Sequence, residues 1–255
     1  MKTWTLFLLA SLSCAPSSAE QKSAASVSGT LITEFPSVDY LMGKFDPAKH
    51  PEFTLIPETF TNKQGIYLRK DALEAFKQMH AAAKADGVNL LIISATRSFN
   101  YQKSIWEAKW NGSKLVGGDD LSKTISDPAQ RALKILEYSS MPGTSRHHWG
   151  TDFDLNDLED AYFRSGEGKK VYDWLSAHAS EYGFCQVYSP KGPGRPHGYN
   201  EEKWHWSYLP VARLLTDFAA KNLKDEMISG FQGAEAAKTI GVVEKYVLGI
   251  NPACH

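Results

Sequence analysis

The sequence predicts an α+β domain in which a small, mainly antiparallel sheet is flanked by helices. Three observations carry that expectation. Apolar residues recur at helical spacing in several separate stretches, and a few short apolar or alternating runs of strand length interrupt them. The 255 residues, 42% hydrophobic and 22% charged, have the composition of an ordinary globular chain long enough for one sizeable core. No internal repeat divides it, so a single domain over residues 30–255 is expected.

The first clear helix carries Ala72, Ala75, Phe76, Met79 and Ala83 on one face, opened by Asp71 and stopped at Gly87. Residues 88–93 are a short apolar run suited to a buried strand. Ser94-Ala95-Thr96-Arg97-Ser98 ends that strand on a turn before a second helix over about 99–110. Residues 111–126, with Gly112, Gly117 and Gly118, read as a long loop, of the kind that is often functional in a compact domain. Asp127-Pro128 supplies an N-cap and a first-turn proline for a helix to about 138. Residues 151–155 and 184–188 read as strands separated by a helix over about 169–182, and residues 203–208 as a further strand. From 210 to 248 the pattern is helical, with a break near 230–233.

The N-terminus is a separate matter. Lys2, the apolar stretch 4–12 and the small residues ending Ser17-Ser18-Ala19 make a secretory signal over residues 1–19, too short to span a bilayer. Two processing routes stay open: cleavage after Ala19, or lipidation at Cys14, where Ser11-Leu12-Ser13-Cys14 loosely resembles a bacterial lipoprotein box. Residues 20–29 are rich in Ser and Ala and read as a tether. The secretory signal makes an exported protein of the bacterial periplasm or envelope the expectation, and no later run is long and apolar enough for a transmembrane helix. Its 28 basic and 29 acidic residues leave a formal charge of -1, which provides no global field for nucleic acid or an acidic membrane. Cys185 and Cys254 remain for thiol chemistry in an oxidising compartment, and the sequence leaves open whether they meet.

The densest polar cluster is Ser145-Arg146-His147-His148-Trp149-Gly150-Thr151-Asp152-Phe153-Asp154. On a strand, period two sends Asp152 and Asp154 to one face, and Gly150 lets the chain turn His147 back toward them. Neutral imidazole and carboxylate are both good zinc ligands. Alone, this pair is better explained by a loop histidine and a solvated strand carboxylate. A second cluster, Glu202-Lys203-Trp204-His205-Trp206, sets a histidine between tryptophans; on a strand His205 points into a cleft while the indoles pack in the core. Glu202 must then lie on the entering loop if it shares a site with His205.

The first cluster resembles the S-x-H-x-x-G-x-A-x-D signature, and the second the E-x-W-H signature, of the VanY-type D-alanyl-D-alanine carboxypeptidases. These belong to a superfamily of lysostaphin-like, D-Ala-D-Ala and hedgehog-type zinc folds. Ser94-Ala95-Thr96-Arg97-Ser98 with Gln102 resembles that family's G-Y-R-S turn and downstream glutamine, and the likeness runs over about 67–208. The resemblance implies zinc held by His147, Asp154 and His205, Glu202 as catalytic base and Arg97 as a substrate-stabilising cation. Ser145 and Gln102 follow as substrate contacts. It implies removal of D-alanine from peptidoglycan stem peptides. The rivals are an L,D-carboxypeptidase on tetrapeptide stems, a cell-wall endopeptidase and, in another class, a non-catalytic zinc-binding module.

Two positions depart from the signatures. Asp152 stands where the first has alanine, and is either an outer partner of a ligand or an alternative ligand. Ala95-Thr96 replace Gly-Tyr before the arginine. His148 reads as a surface or outer-layer residue beside a ligand, His197 as a solvated loop histidine or one lining the cleft, and His50, His80, His178 and His255 as structural or exposed.

Overall fold

The computed structural model describes Met1 and residues 36–255. Apart from Met1, the export signal expected over 1–19, Cys14 within it and the tether over 20–29 lie outside the described residues. Helix α1 (Val38–Leu41) is capped by Ser37, whose Oγ accepts the Tyr40 N–H at 3.0 Å. Strands β1 (Phe53–Leu55) and β2 (Tyr67–Arg69) then form an antiparallel pair absent from the sequence-based expectation. Each is three residues long and no short turn signal joins them, so neither carries a readable period.

Helix α2 (Lys70–Ala85) buries Ala72, Phe76, Met79 and Ala83 as their spacing requires, with Leu73 beside them. Strand β3 pairs only over Ile92–Ser94; Val88 and Leu90 are buried but outside the ladder. Helix α3 (Phe99–Trp110) has the expected bounds, with Ser98 as N-cap. A short α4 (Leu121–Thr124) interrupts the long loop. Asp127 caps α5 (Pro128–Ile135), which stops earlier than expected.

Strand β4 (Asp152–Leu155) is followed by α6 (Gly166–His178), which passes into a 3-10 turn over Ala179–Tyr182. Strand β5 is only Phe184–Cys185, and β6 (His205–Tyr208) begins at the histidine itself. The expected run at 184–188 ends early because Tyr188 turns away to accept the Glu202 N–H at 2.9 Å. The four strands are antiparallel in the order β3-β4-β6-β5. The result is the expected α+β architecture.

The C-terminal region holds α7 (Leu209–Asn222), α8 (Ala236–Ile240) and a π-helical turn at Val243–Val247. The helical pattern breaks at Gly233, which has φ 78°. A Cβ there would lie 2.3 Å from the Trp110 ring, so the chain needs glycine to pass. Cys185 and Cys254 form a disulfide with Cα atoms 5.8 Å apart, joining β5 to the final turn. No helix among the described residues is long and apolar enough to cross a membrane.

Candidate metal centre and active site

The pairing of β4 with β6 sets Asp154 directly opposite His205 and Asp152 opposite Ser207. All four side chains lie on one face of the sheet, where cross-strand neighbours stand about 5 Å apart at Cβ. Phe153 and Trp206 are also paired but face the other way, and Phe153 packs 5.3 Å from Phe76 and 5.1 Å from Phe184 between ring centroids. One period-two pattern thus builds core on one side and site on the other. His147 arrives from a 3-10 turn over Arg146–Trp149 that ends at Gly150, φ 70°. A Cβ at Gly150 would stand 2.2 Å from a Phe53 ring carbon, so the close return onto β4 requires glycine.

Three atoms converge. His147 Nε2 lies 3.2 Å from His205 Nδ1 and 3.3 Å from Asp154 Oδ1, and Asp154 Oδ1 lies 3.1 Å from His205 Nδ1. His147 donates its Nδ1–H to the Ala95 carbonyl at 2.9 Å, and the other ring nitrogen of His205 lies 3.0 Å from Asp152 Oδ1. Were both imidazoles neutral and committed outward, the inward atoms would all be acceptors with no hydrogen between them. A cation resolves that conflict. Ligand atoms of a tetrahedral ion held at roughly 2.0–2.1 Å are about 3.3 Å apart, close to the edges of this triangle. His147, Asp154 and His205 could therefore hold a metal ion.

Electrostatics follow the same lines in the metal-free chain. Burial and the Arg97 charge lower the proton affinity of His147. Burial also opposes a charged His205, but hydrogen bonds to Asp152 and Asp154 outweigh it and push that ring up to about 9. Burial would raise Asp154, yet His147 and His205 hold its carboxyl well below the usual range. Burial pushes Glu202 up to about 8, with Asp154 adding and His205 and Arg97 opposing.

Glu202 is on the turn entering β6, as its geometry with His205 demanded, and its Oε2 lies 3.7 Å from His205 Nδ1. Arg97 donates from Nη2 to Asp154 Oδ2 at 3.1 Å, from Nη1 to Gln102 Oε1 at 2.9 Å and from Nε to Ser94 Oγ at 3.3 Å. Gln102 differs from its expected role. It is fully buried, and its Nε2 donates to the Ser140 carbonyl at 2.8 Å, so both ends of its amide hold protein groups rather than facing a ligand. Ser145 is buried with no hydrogen-bond partner for its Oγ among the described residues.

Of the two readings of His148, surface or outer layer, the geometry fits the second. The side chain is fully buried, donates its Nδ1–H to the Arg97 carbonyl at 2.6 Å and accepts the Gly143 N–H on Nε2 at 3.0 Å. Burial lowers its proton affinity to about 3. It clamps the arginine turn to the loop before Thr144. His197 is exposed, and only its backbone carbonyl is used, accepting from Arg195. Tyr138, Ser140, Tyr188 and Tyr199 line a narrow pocket with Arg97, Glu202 and the two ligand histidines. Sequence reasoning missed all four, which sit at irregular spacings; the one available hint was the aromatic pair Tyr188 and Tyr199 flanking the loop before Glu202.

Residues 65–211 match the family VanY, D-alanyl-D-alanine carboxypeptidase. YodJ of Bacillus subtilis is 30% identical over 189 residues, an alignment spanning 69% of this chain and 60% of YodJ. Among solved structures, the LD-carboxypeptidase LdcB shares 22% identity with a TM-score of 0.49, covering 80% of this chain and 81% of LdcB. VanYB in complex with D-alanine-D-alanine shares 23% identity with a TM-score of 0.47, covering 66% and 88%. The matched segment holds Arg97, His147, Asp154, Glu202 and His205 together, and the chain belongs to the VanY family of D-alanyl-D-alanine carboxypeptidases.

Proposed function

We propose that this chain is a zinc-dependent D,D-carboxypeptidase that removes the C-terminal D-alanine from peptidoglycan stem peptides. The observation that supports this most strongly is the acceptor triangle of His147 Nε2, Asp154 Oδ1 and His205 Nδ1, with the Glu202 carboxylate 3.7 Å from its edge. His147, Asp154 and His205 would hold the ion, and three protein ligands are the number expected of a catalytic rather than a structural zinc. Zinc supplies Lewis acidity that polarises a carbonyl and makes water easier to deprotonate.

The protein's own groups do the rest. Glu202 takes the proton of the attacking water on its carboxylate and returns it to the leaving amine of D-alanine; burial raises its proton affinity for that purpose. Arg97 holds a permanent positive charge at the pocket, beside the place where the scissile carbonyl gathers negative charge. Gln102 fixes one arm of that guanidinium. Ser145 is assigned as a substrate contact from the family resemblance; its buried hydroxyl has no hydrogen-bond partner among the described residues. The export signal read in residues 1–19 supports action in the periplasm or envelope, with Cys14 a candidate lipid anchor.

The test is metal content paired with a mass-resolved digest of defined muropeptides. About one zinc per chain is expected, lost in His205→Ala, with D-alanine released from pentapeptide stems. Release from tetrapeptide stems alone would replace this reading with an L,D-carboxypeptidase, and cleavage of cross-linked dimers alone with an endopeptidase. Bound zinc with no cleavage of any of them would leave a zinc-binding module, against which the presence of both Glu202 and Arg97 at the pocket stands.

A further inference from the structure

Asp152 is the one acid on the site face of β4 for which the proposed chemistry has no use. It is fully buried, and its carboxylate is saturated. Oδ1 lies 3.0 Å from both Arg146 Nε and His205 Nε2; Oδ2 accepts the Thr151 hydroxyl at 2.5 Å and the Ser207 hydroxyl at 2.9 Å. A carboxylate offers about four lone-pair directions, so none remains for a metal ion. Asp152 is therefore not a competing ligand.

Its counter-cation is equally fixed. Arg146 is buried, donates from Nη1 to Thr216 Oγ1 at 2.9 Å and from Nη2 to Ser207 Oγ at 3.0 Å, and lies over the Trp149 ring with its central carbon 4.4 Å from the centroid. Every arm of the guanidinium has a partner, so the carboxylate cannot turn without breaking several hydrogen bonds at once.

We propose that Asp152, held by Arg146, is a positioning residue that keeps the proton of His205 on Nε2 and so commits Nδ1 to the metal. The inference rests on the zinc site proposed above. Carboxylates face both ring nitrogens of His205, Asp152 Oδ1 at 3.0 Å from Nε2 and Asp154 Oδ1 at 3.1 Å from Nδ1; with Asp154 given to the ion, the single N–H of a neutral imidazole is left to Asp152 and the Nδ1 lone pair faces His147 and Asp154. The two ligand histidines are thereby oriented by unlike acceptors: the neutral Ala95 carbonyl behind His147 and a carboxylate behind His205. The carboxylate makes Nδ1 the stronger donor to a cation, and Arg146 keeps the charge behind it compensated.

The test is zinc affinity, by chelator competition, of the full-length wild type and of Asp152→Asn, with circular dichroism as the check on folding. Outer hydrogen-bond partners of metal ligands typically contribute 10–100-fold in affinity, and a loss in that range with the fold intact is expected. Unchanged affinity in a folded Asp152→Asn would overturn the proposal. A second measurement needs no variant. Long-range nitrogen-proton NMR of the zinc-loaded wild type should show His205 protonated on Nε2 and bound through Nδ1, and binding through Nε2 would sink the idea. His205→Ala separates the two levels of inference. If it keeps full zinc, the site itself is misassigned; if it loses zinc while Asp152→Asn does not, only the positioning role fails.

Discussion

Opening the Cys185–Cys254 disulfide should destabilise the fold by about 4 kcal/mol and leave the metal triangle in place. The cysteines are 69 residues apart in sequence, so the bond closes a loop of about 70 residues. The loop-closure relation then gives about 15 cal/mol/K of entropy removed from the unfolded chain, or about 4 kcal/mol at 25 °C. The folded side should change little. Asn251 donates its backbone N–H to the Val187 carbonyl at 2.8 Å and its side-chain amide to the Gln186 carbonyl at 3.1 Å, so the final turn stays docked on β5 without the bond. Urea unfolding of Cys185→Ser/Cys254→Ser against the wild type reads the difference as a shift in midpoint at constant slope. Zinc content is the second readout, and it should hold because the ligands sit on β4, β6 and the turn before β4. A loss below about 1 kcal/mol would refute the loop-entropy account. Zinc lost from a chain that is still folded would show that the C-terminal tie shapes the site.

The remaining predictions are more local. Glu202→Gln should fold and bind zinc but release D-alanine roughly 10²–10⁴-fold more slowly, whereas Glu201→Ala, whose carboxylate faces Lys203 at 3.8 Å and the Tyr172 hydroxyl at 3.4 Å, should stay active. Near-normal turnover in Glu202→Gln would rule out its role as base. Arg97→Lys should keep zinc and lose turnover, because an ammonium cannot reproduce the fork to Asp154, Gln102 and Ser94; full activity in that variant would show that charge alone suffices. His148 binds a proton near 3 when folded against 6.5 as a free imidazole, so the unfolded chain holds more protons between those values and stability falls as pH drops through that window. Urea unfolding with chelator present should find roughly 3–5 kcal/mol of this dependence missing in His148→Gln, and an unchanged profile would mean the ring is not held neutral.

What was legible in the sequence was whatever a short period could carry. Asp152 and Asp154 share a face, and His205 is turned opposite to its tryptophans, because strand geometry leaves no choice. Glu202 had to leave the strand to approach His205, and it does. What was not legible depended on contacts between distant segments. For His148 the sequence left surface and outer layer both open, and it is the loop at Gly143 and the turn at Arg97, nearly fifty residues apart in sequence, that enclose it. Gln102 is implied as a substrate contact by the family resemblance alone; only the arrival of Ser140 shows that both ends of its amide hold protein groups. The pair β1–β2 escaped notice since three-residue strands have no period to detect.

The charges of the site explain why a metal belongs there on physical grounds as well as by family. Asp152, Asp154 and Glu202 bring three buried carboxyl groups together, and only two guanidiniums, Arg97 and Arg146, stand against them within hydrogen-bonding distance of two of the three. Arg146 is spent on Asp152, and Arg97 reaches Asp154 through its outer oxygen alone, so the inward oxygen of Asp154 faces two nitrogen lone pairs uncompensated. In the metal-free chain the raised proton affinity of His205 answers this by keeping a proton in the triangle. A divalent ion does so with twice the charge and three bonds, and since it binds only the folded chain it must stabilise that chain. Zinc at 100 times its dissociation constant should therefore raise stability by about 2.7 kcal/mol, read as a higher melting temperature that EDTA reverses. A melting temperature indifferent to zinc would mean the three acceptors are balanced by something other than a metal, and the carboxypeptidase reading would lose its foundation.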